Sequence, residues 1–315
     1  MNTHALRHDV ITLATAAGRM VGTAGHEQAR GYLAERLAGL GLDPYGERFE
    51  LPYAASGARL CNVIGVAPGT QPELAPIVLA AHYDTCGPLP GADDNAAAIA
   101  IALRVAEQLR AEPAPRGVVI ALFDGEEPPH YLSPAMGSIH WYHHQRRGPV
   151  HCAVVLDLVG HDVPVPGIED LVFVTGMESD PELVIDLAGV SDSVRVQPVL
   201  NRYVGDLSDH HVFRAHERPF LFLSCGRWQH YHMPTDTPDR LNYAKMAGIA
   251  ELVELLVRRV SAAQLSGPFE GGDTLALELA GVERHFGKLL GGAAKLVGRR
   301  GVDAFVKLAM GGFGL

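Results

Sequence analysis

PIVLAAHYDTCGPLPGADDNAAAIAIALRVAEQL, residues 76–109, is the stretch that decides the fold class. Residues 76–81 are apolar throughout, which predicts a strand buried on both faces, and the Ala-rich segment 95–109 has a helical pattern. Between them lie two short polar motifs, His82-Tyr83-Asp84 and Gly91-Ala92-Asp93-Asp94-Asn95. Because α/β sheets collect polar groups in the loops at the carboxyl ends of their strands, this order predicts a strand–loop–helix unit.

The same alternation continues on both sides of this stretch. Apolar runs at 60–66, 117–123 and 151–157 predict further central strands. Helices are predicted near 5–17, 26–40, 137–147, 180–189, 208–215 and 240–263. We therefore predict an α/β fold with a mixed, mostly parallel central sheet and helices on both faces.

Composition divides the chain near residue 264. Residues 1–264 carry the strand–helix alternation, whereas residues 265–315 are Gly-rich, partly helical and basic from Arg284 onward. A basic amphipathic helix can contact a membrane surface or a partner. Packing against the domain or against a second subunit is the favoured interpretation, so an oligomer stays open.

Overall charge and apolar content narrow the classes of function. The 315 residues are 47% hydrophobic with a formal net charge of -10, which excludes a nucleic-acid partner because no basic excess can neutralise phosphates. No apolar run is long enough for a membrane span, and residues 1–20 do not resemble a signal peptide, so the cytoplasm is expected. The four cysteines form no CxxC pair, and Cys86 is interpreted as a loop thiol that could approach the polar motifs.

Five polar motifs that follow apolar runs predict a metal site. They are HYD at 82–84, GADDN at 91–95, GEE at 125–127, Asp157 and His232. Imidazole and carboxylate groups bind divalent cations. Of two adjacent Glu residues, one can be a metal ligand while the other acts as the general base. An Asp that ends a buried strand is costly to desolvate unless a cation or a hydrogen-bonding cap satisfies it.

Structural interpretations compete with this one. The Asp pair can be a helix N-cap, and the Glu pair a solvated turn. Spacing alone does not choose His232 over His230. Other histidines are also candidate ligands. We interpret His140 and His144 as surface residues, and His210 and His211 as supporting or capping groups.

The motif set resembles the co-catalytic zinc peptidases typified by bacterial secreted aminopeptidases, a family that also contains glutamate carboxypeptidases and glutaminyl cyclases. The resemblance covers about residues 18–263 and is carried by GRMVGTAGHEQARGYLAERL from residue 18, HYD, GADDN, GEE, MGS at 136–138, SDHHVF at 208–213 and HMPTDTPDRL from residue 232. It implies the zinc-peptidase, phosphorylase/hydrolase-like fold. Residues 1–264 are then the zinc peptidase catalytic domain, and 265–315 are a helical C-terminal appendage outside the metal site.

The resemblance also implies the metal ligands. Two zinc ions per chain are expected, one held by His82 and Asp157 and the other by Glu127 and His232. Asp93, the first member of the Asp pair, is expected to bridge them. The family spacing of a His, three residues and then Asp-Thr is what selects His232.

Three further residues are expected to take part in catalysis. The resemblance implies that Glu126 is the general base and that Tyr231 steadies the oxyanion. Asp84 lies two residues after His82, a spacing that predicts a carboxylate partner for the metal-bound imidazole. A cis peptide bond is expected between Asp93 and Asp94. The chain departs from the family pattern at Pro128-Pro129, which leaves the substrate pocket in doubt.

The expected function is a zinc-dependent exopeptidase, foremost an aminopeptidase that acts on a peptide or a small amide. One alternative is a glutaminyl-cyclase-like transferase with a single zinc. Another is a carboxypeptidase, for which Arg202, Arg214 or Arg227 could bind the substrate carboxylate. A peptide-binding homologue without catalysis is the non-enzymatic alternative, and it is disfavoured because every ligand motif is present.

Overall fold

A mixed β-sheet forms the centre of the molecule. The computed structural model describes residues 3–265, 271–288 and 298–313. Within these ranges nine strands form one sheet. They are β1 Asp43–Pro44, β2 Glu50–Ala55, β3 Ala58–Ala67, β4 Ile77–His82, β5 Val118–Phe123, β6 Cys152–Leu156, β7 Leu171–Thr175, β8 Arg195–Pro198 and β9 Phe220–Ser224.

Parallel strands occupy the middle of the sheet and antiparallel strands flank them. The strand order is β1-β3-β5-β4-β6-β9-β7-β8, and β2 pairs with β3 outside this path. Strands β5, β4, β6 and β9 are mutually parallel, whereas β3 and β7 join this block in the antiparallel direction. The carboxyl ends of the four central strands therefore meet at one edge.

Side chains of the central strands alternate between two cores. On β4, Ile77, Leu79 and Ala81 belong to one buried cluster, and Val78 and Ala80 belong to another on the opposite face. Period-two alternation with apolar residues on both sides is what a strand covered on both faces requires. This arrangement explains why the run at 76–81 contains no polar residue.

Helices cover both faces. The helices are α1 His4–Leu13, α2 Ala24–Gly39, α3 Ala98–Ala111, α4 Gly137–His140, α5 Asn201–Val204, α6 His210–Ala215, α7 Tyr243–Ala262, α8 Leu275–Phe286 and α9 Gly298–Phe313. Residues of α1, α2, α3 and α7 pack in the larger core, while the segment after α4 and helix α6 pack in the smaller one. None of the helices in the described ranges combines the length and apolar character needed to cross a bilayer.

One predicted helix is wrong. Residues 180–189 form only a short 3-10 turn, Pro181–Leu183, whose first N–H groups are capped by Asp180. Beyond it, Ile185 and Leu187 are buried and Asp186 between them is exposed. This period-two burial and the β-branched Val184-Ile185 pair favour an extended segment over a helix.

The C-terminal helices pack against the edge of the sheet. Nε2 of His285 in α8 lies 3.1 Å from the carbonyl oxygen of Val196 in β8. Gly281 brings α8 close to the strand, because a Cβ at this position would lie 2.6 Å from the side chain of Gln197. Helix α9 then packs on α8, with the Phe286 and Phe305 rings 5.0 Å apart. The division at residue 264 stays a prediction, but the described part of the tail is helical and adjoins the domain.

Candidate metal centre

The predicted motifs lie at the carboxyl edge of the parallel strands. His82 ends β4, and Glu126 and Glu127 follow β5. Asp157 comes directly after β6, and the loop after β9 carries His232. The strand order β5-β4-β6-β9 places these loops next to one another. The geometry is the usual one for a site in an α/β sheet.

Two groups of candidate ligands face each other at this edge. The first group is His82, Asp94 and Asp157, and the second is Cys86, Glu127 and His232. Nε2 of His82 lies 3.2 Å from Oδ1 of Asp94 and 3.7 Å from Oδ1 of Asp157. Nε2 of His232 lies 3.1 Å from Oδ2 of Asp94 and 3.0 Å from Oε1 of Glu127. The two carboxylate oxygens of Asp94 therefore contact one group each.

The prediction that Asp93 bridges the two groups is wrong, because Asp94 takes that position. The Asp93 carboxylate accepts hydrogen bonds from the backbone N–H groups of Gly160 and His161 at 2.6 and 3.1 Å, and Nδ1 of His161 lies 2.7 Å from it. The backbone N–H groups of both Asp residues donate to the Asp236 carboxylate at 2.9 and 3.1 Å. These hydrogen bonds to Asp236 fix both peptide groups, and the two Asp side chains contact different partners.

The expected cis peptide bond is displaced by the same single residue. It joins Asp94 to Asn95 rather than Asp93 to Asp94. Asp94 and Asn95 also depart from helical φ and ψ values within the π-helical turn Ala92–Ala97 that precedes α3. The predicted helix start at residue 95 is therefore too early, and regular α-helix begins at Ala98.

Asp84 lies behind His82 and belongs to neither group of candidate ligands. Its Oδ1 is 3.5 Å from Nδ1 of His82. Its two oxygens also accept hydrogen bonds from the backbone N–H groups of Glu126 and Glu127, each at 3.0 Å. Asp84 thus joins the β4 and β5 loops, a position that fits the predicted role of orienting His82.

Glu126 and Tyr231 lie beside the ligands, where both line the same cavity. Oε2 of Glu126 is 3.9 Å from Nε2 of His82. The Tyr231 ring stacks on His232 with centroids 3.8 Å apart, and the Arg227 guanidinium lies 5.0 Å from the Tyr231 ring centre. These positions are compatible with a base and an oxyanion donor, roles that stay predictions.

Charge at the site favours bound cations. Burial raises the pKa of Glu126 well above its usual value, and burial together with the Asp94 carboxylate raises the pKa of Glu127 to about 8. Burial also raises the pKa of Asp209, behind the site, to about 7. So many buried carboxyl groups resist joint ionisation, and a cation among them removes that cost.

Two unsatisfied atoms point to the same conclusion. Nε2 of His82 and Oδ2 of Asp94 are buried without a hydrogen bond from any residue in the described part of the chain. Buried polar atoms rarely lack a partner, and metal coordination is one way to satisfy them. The imidazole and carboxylate donors in both groups are the types that zinc takes.

Cys86 lies closer to the site than the loop-thiol interpretation requires. Its Sγ is within 4.8 Å of ligand atoms of Glu127 and His232, and the side chain is partly buried. Burial and the nearby Glu127 carboxylate raise the pKa of the thiol. The residue remains in a loop, but it is the one sulfur donor in either ligand group of the described chain.

The competing histidines lie away from both groups. His140 stacks on Tyr53 with centroids 4.0 Å apart. Nε2 of His210 lies 3.0 Å from the Gly205 carbonyl oxygen, and Nδ1 of His211 lies 3.1 Å from Asp206. These contacts agree with surface and supporting roles rather than with metal binding.

Arg19 is the main positioning residue that the sequence did not single out. It is 1% exposed, and its guanidinium donates to the carbonyl oxygens of Tyr83, Leu13, Pro90 and Gly91 at 2.7–3.0 Å. Burial lowers its pKa to about 10, so it stays charged at neutral pH. In the sequence, Arg19 lies in the stretch from residue 18 that contributes to the family resemblance, and no local pattern marks it as a positioning residue.

Removal of Arg19 is expected to destabilise the loop that carries Asp94. The carbonyl oxygens of Tyr83 and Pro90 would lose the donor that Arg19 supplies, at a cost of about 1–3 kcal/mol each, so Arg19→Ala should lower the free energy of unfolding by at least about 2 kcal/mol. Urea unfolding in excess zinc measures the change. Arg48, which is exposed, provides the control, since Arg48→Ala should change stability by less than about 0.5 kcal/mol. Equal effects of the two substitutions would contradict the role of Arg19.

Comparison with known proteins gives both a family match and a relative. The model of Peptidase family M28 matches residues 62–257, more than half of the chain. The uncharacterized protein YfbL of Escherichia coli is 29% identical over 214 residues, which are 58% of this chain and 66% of that protein. The match thus spans slightly less than two thirds of that relative's length.

Solved structures share the fold. LapB from Legionella pneumophila matches with a TM-score of 0.68 at 18% identity, covering 83% of this chain and 73% of that one. A leucine aminopeptidase precursor from Bacteroides thetaiotaomicron matches with a TM-score of 0.65 at 19% identity, covering 82% and 97%. A glutaminyl cyclase from the same organism, bound to N-acetylhistamine, gives 0.65 at 18% identity with the same coverages. The predicted α/β fold is confirmed.

Proposed function

The chain belongs to peptidase family M28, and on that premise we propose that it is a zinc-dependent aminopeptidase that uses two metal ions. The observation that carries the proposal is the position of Asp94. Its two carboxylate oxygens lie 3.2 Å from Nε2 of His82 and 3.1 Å from Nε2 of His232. A carboxylate shared in this way can hold two cations side by side, as two-metal hydrolases require.

The two donor sets support an assignment of ligands to each ion. His82 and Asp157 would hold one zinc, Glu127 and His232 the other, and Asp94 both. When bound, the two ions would polarise the scissile carbonyl and acidify the attacking water. Asp84 would keep the His82 imidazole in place from behind, as a carboxylate partner of a metal-bound His commonly does.

The other residues at the site would handle the proton and the substrate. Glu126 lines the cavity beside His82, and its carboxylate would accept a proton from water and deliver it to the leaving amine. The Tyr231 hydroxyl would donate to the oxyanion that develops on the substrate. Apolar walls around the cavity would exclude bulk water, which strengthens both interactions.

The pairing of the candidate arginines favours an aminopeptidase over a carboxypeptidase. The cavity brings Asp94, Glu126, Glu127 and Asp157 together, and two bound zinc ions would balance these four carboxylate charges, which leaves no net positive charge from the ions to attract a substrate carboxylate. Two of the arginines considered for a substrate carboxylate are paired elsewhere, Arg202 with Asp303 and Arg214 with Asp206. Arg227 lines the cavity and keeps the carboxypeptidase as the alternative to be tested.

A glutaminyl-cyclase-like enzyme is less well supported. Such an enzyme acts with one zinc and needs only one complete set of ligands. Here both ligand groups are present and Asp94 joins them, which supports a two-metal hydrolase.

Metal content and substrate termini test the proposal. The purified protein should contain about two zinc ions per chain and release p-nitroaniline from aminoacyl p-nitroanilides. N-acetylation of the same substrates should abolish turnover, because it removes the free amino group that an aminopeptidase recognises. Cleavage of peptides from the carboxyl end would favour the carboxypeptidase, and one zinc with cyclisation of N-terminal Gln would favour the cyclase.

A further inference from the structure

A large cavity leads away from the metal centre. It encloses about 450 Å³, and Asp94, Glu126, Glu127, Asp157 and His232 form one end of it. Pockets of a few hundred Å³ hold whole small ligands rather than a single functional group. The site therefore offers more room than the scissile amide occupies.

Beyond the ligands, the walls of the cavity are mostly apolar. The sheet contributes Phe173, Pro198 and Phe222, and the C-terminal helices contribute Phe286, Phe305 and Val306. The helices that the sequence placed outside the site therefore supply no candidate ligand but do form a wall of the cavity. The only Lys or Arg among the lining residues in the described chain is Arg227, which lies beside Tyr231 near the metal end.

Polar contacts hold this wall in place. Arg299 of α9 donates to the Glu278 carboxylate of α8 at 2.7 and 2.8 Å, and Glu278 is 1% exposed. Asp303 of α9 accepts from Arg202 at 2.7 Å and from the Tyr203 hydroxyl. These bonds orient α9 so that Phe305 and Val306 are turned to the cavity while Leu308 is 68% exposed.

We propose that this cavity binds an extended apolar group of the substrate, longer than the side chain of a common aliphatic amino acid. The inference rests on the proposed function, because the metal end of the cavity would hold the scissile amide. Charged groups are disfavoured at the end formed by α8 and α9, because no Lys, Arg, Asp or Glu of the described residues lines that end and their desolvation would not be compensated by an opposite charge. Apolar groups gain free energy from burial in proportion to the area removed from water.

A series of substrates with growing linear side chains tests the proposal. α-Aminoacyl p-nitroanilides from alanine to 2-aminodecanoic acid should show a rise in kcat/KM of up to about fourfold per methylene, the equivalent of about 0.8 kcal/mol. The rise should continue past the norleucine derivative. A plateau at or before norleucine, together with no dependence of kcat/KM on chain length for alanyl n-alkylamides, would overturn the proposal.

Substitutions on the two faces of α9 provide the matched comparison. Phe305→Asp puts a charge into the wall and should reduce the ratio of kcat/KM for the decanoic to the alanine substrate by at least about tenfold. Leu308→Asp adds the same charge on the exposed face and should leave that ratio unchanged. Ala309→Trp, which fills the cavity without a charge, should also reduce the ratio and covers the case in which Phe305→Asp fails to fold. Equal ratios in all four proteins would overturn the proposal.

A binding measurement separates this inference from the proposed function. Calorimetric titration with 1-alkanols from butanol to decanol needs no turnover. Tighter binding of the longer alkanols by the wild type and Leu308→Asp, but not by Phe305→Asp, supports the cavity even if no aminoacyl substrate is cleaved. If alanyl p-nitroanilide is cleaved but neither the turnover of the aminoacyl series nor the binding of the alkanols depends on chain length, the inference is wrong. The proposed aminopeptidase activity is then unaffected.

Alanyl n-alkylamides place the apolar chain on the leaving side of the amide. Their kcat/KM is compared with that of the aminoacyl series at equal chain length. If kcat/KM rises more steeply with chain length for the n-alkylamides than for the aminoacyl series, the apolar group belongs to the leaving amine. The reverse assigns it to the acyl part. Either result supports an apolar group in the cavity.

Discussion

Replacement of Glu126 by Gln is expected to reduce kcat by at least about 10²-fold while both zinc ions stay bound. Gln keeps the size of the side chain and can hydrogen-bond water, but it cannot accept a proton. General base catalysis contributes about 10²–10⁴-fold, so the loss corresponds to about 2.7 kcal/mol or more of transition-state stabilisation. Glu126 lies 3.9 Å from His82 and lines the cavity, which places it beside the ligands.

Glu127→Gln is the matched control for this prediction. Glu127 is adjacent in sequence, but its Oε1 lies 3.0 Å from Nε2 of His232, as expected of a ligand in the second group. Its substitution should lower zinc content, measured by inductively coupled plasma mass spectrometry, as well as turnover. Near-normal kcat in a fully loaded Glu126→Gln protein would mean that another group activates the water.

Asp94→Asn should weaken metal binding more than any other single change in the Asp pair. An amide has one oxygen and no charge, so it cannot serve two cations. Loss of a second-shell partner typically costs about 10–100-fold in metal affinity, and loss of the shared ligand should cost more than about 10²-fold. Zinc titration against a chelating competitor measures the affinity, and turnover should fall to background.

Asp93→Asn is the corresponding control one residue earlier. Its oxygen can still accept from the backbone N–H groups of Gly160 and His161, and it contacts neither ligand group. Zinc affinity should therefore stay within about tenfold of the wild type. If Asp93→Asn lost the metals and Asp94→Asn kept them, the assignment from the family spacing would be right and the one from geometry wrong.

These two residues show how far the sequence could lead. The motifs, the strand ends and the family resemblance located the bridging carboxylate to within one residue. The choice between Asp93 and Asp94 depends on Asp236, which accepts from both backbone N–H groups although it lies 142 residues beyond Asp94. No local pattern contains that contact.

The tail illustrates a different limit. Val302, Phe305, Val306 and Ala309 recur at helical spacing, so an apolar face on α9 could be read from the sequence. Periodicity does not say which surface such a face covers, and in the structure it forms a wall of the cavity. The cytoplasmic location and any second subunit stay predictions.

The hydrogen bonds of Arg19 limit where the chain can be truncated. Its side chain joins the end of α1, through the Leu13 carbonyl, to Pro90 and Gly91 next to the Asp pair. Residues 3–20 look peripheral because they precede every strand of the sheet. Arg19 nevertheless connects them to the loop that carries the Asp pair, so a boundary drawn after residue 20 would remove part of this connection without removing a candidate ligand.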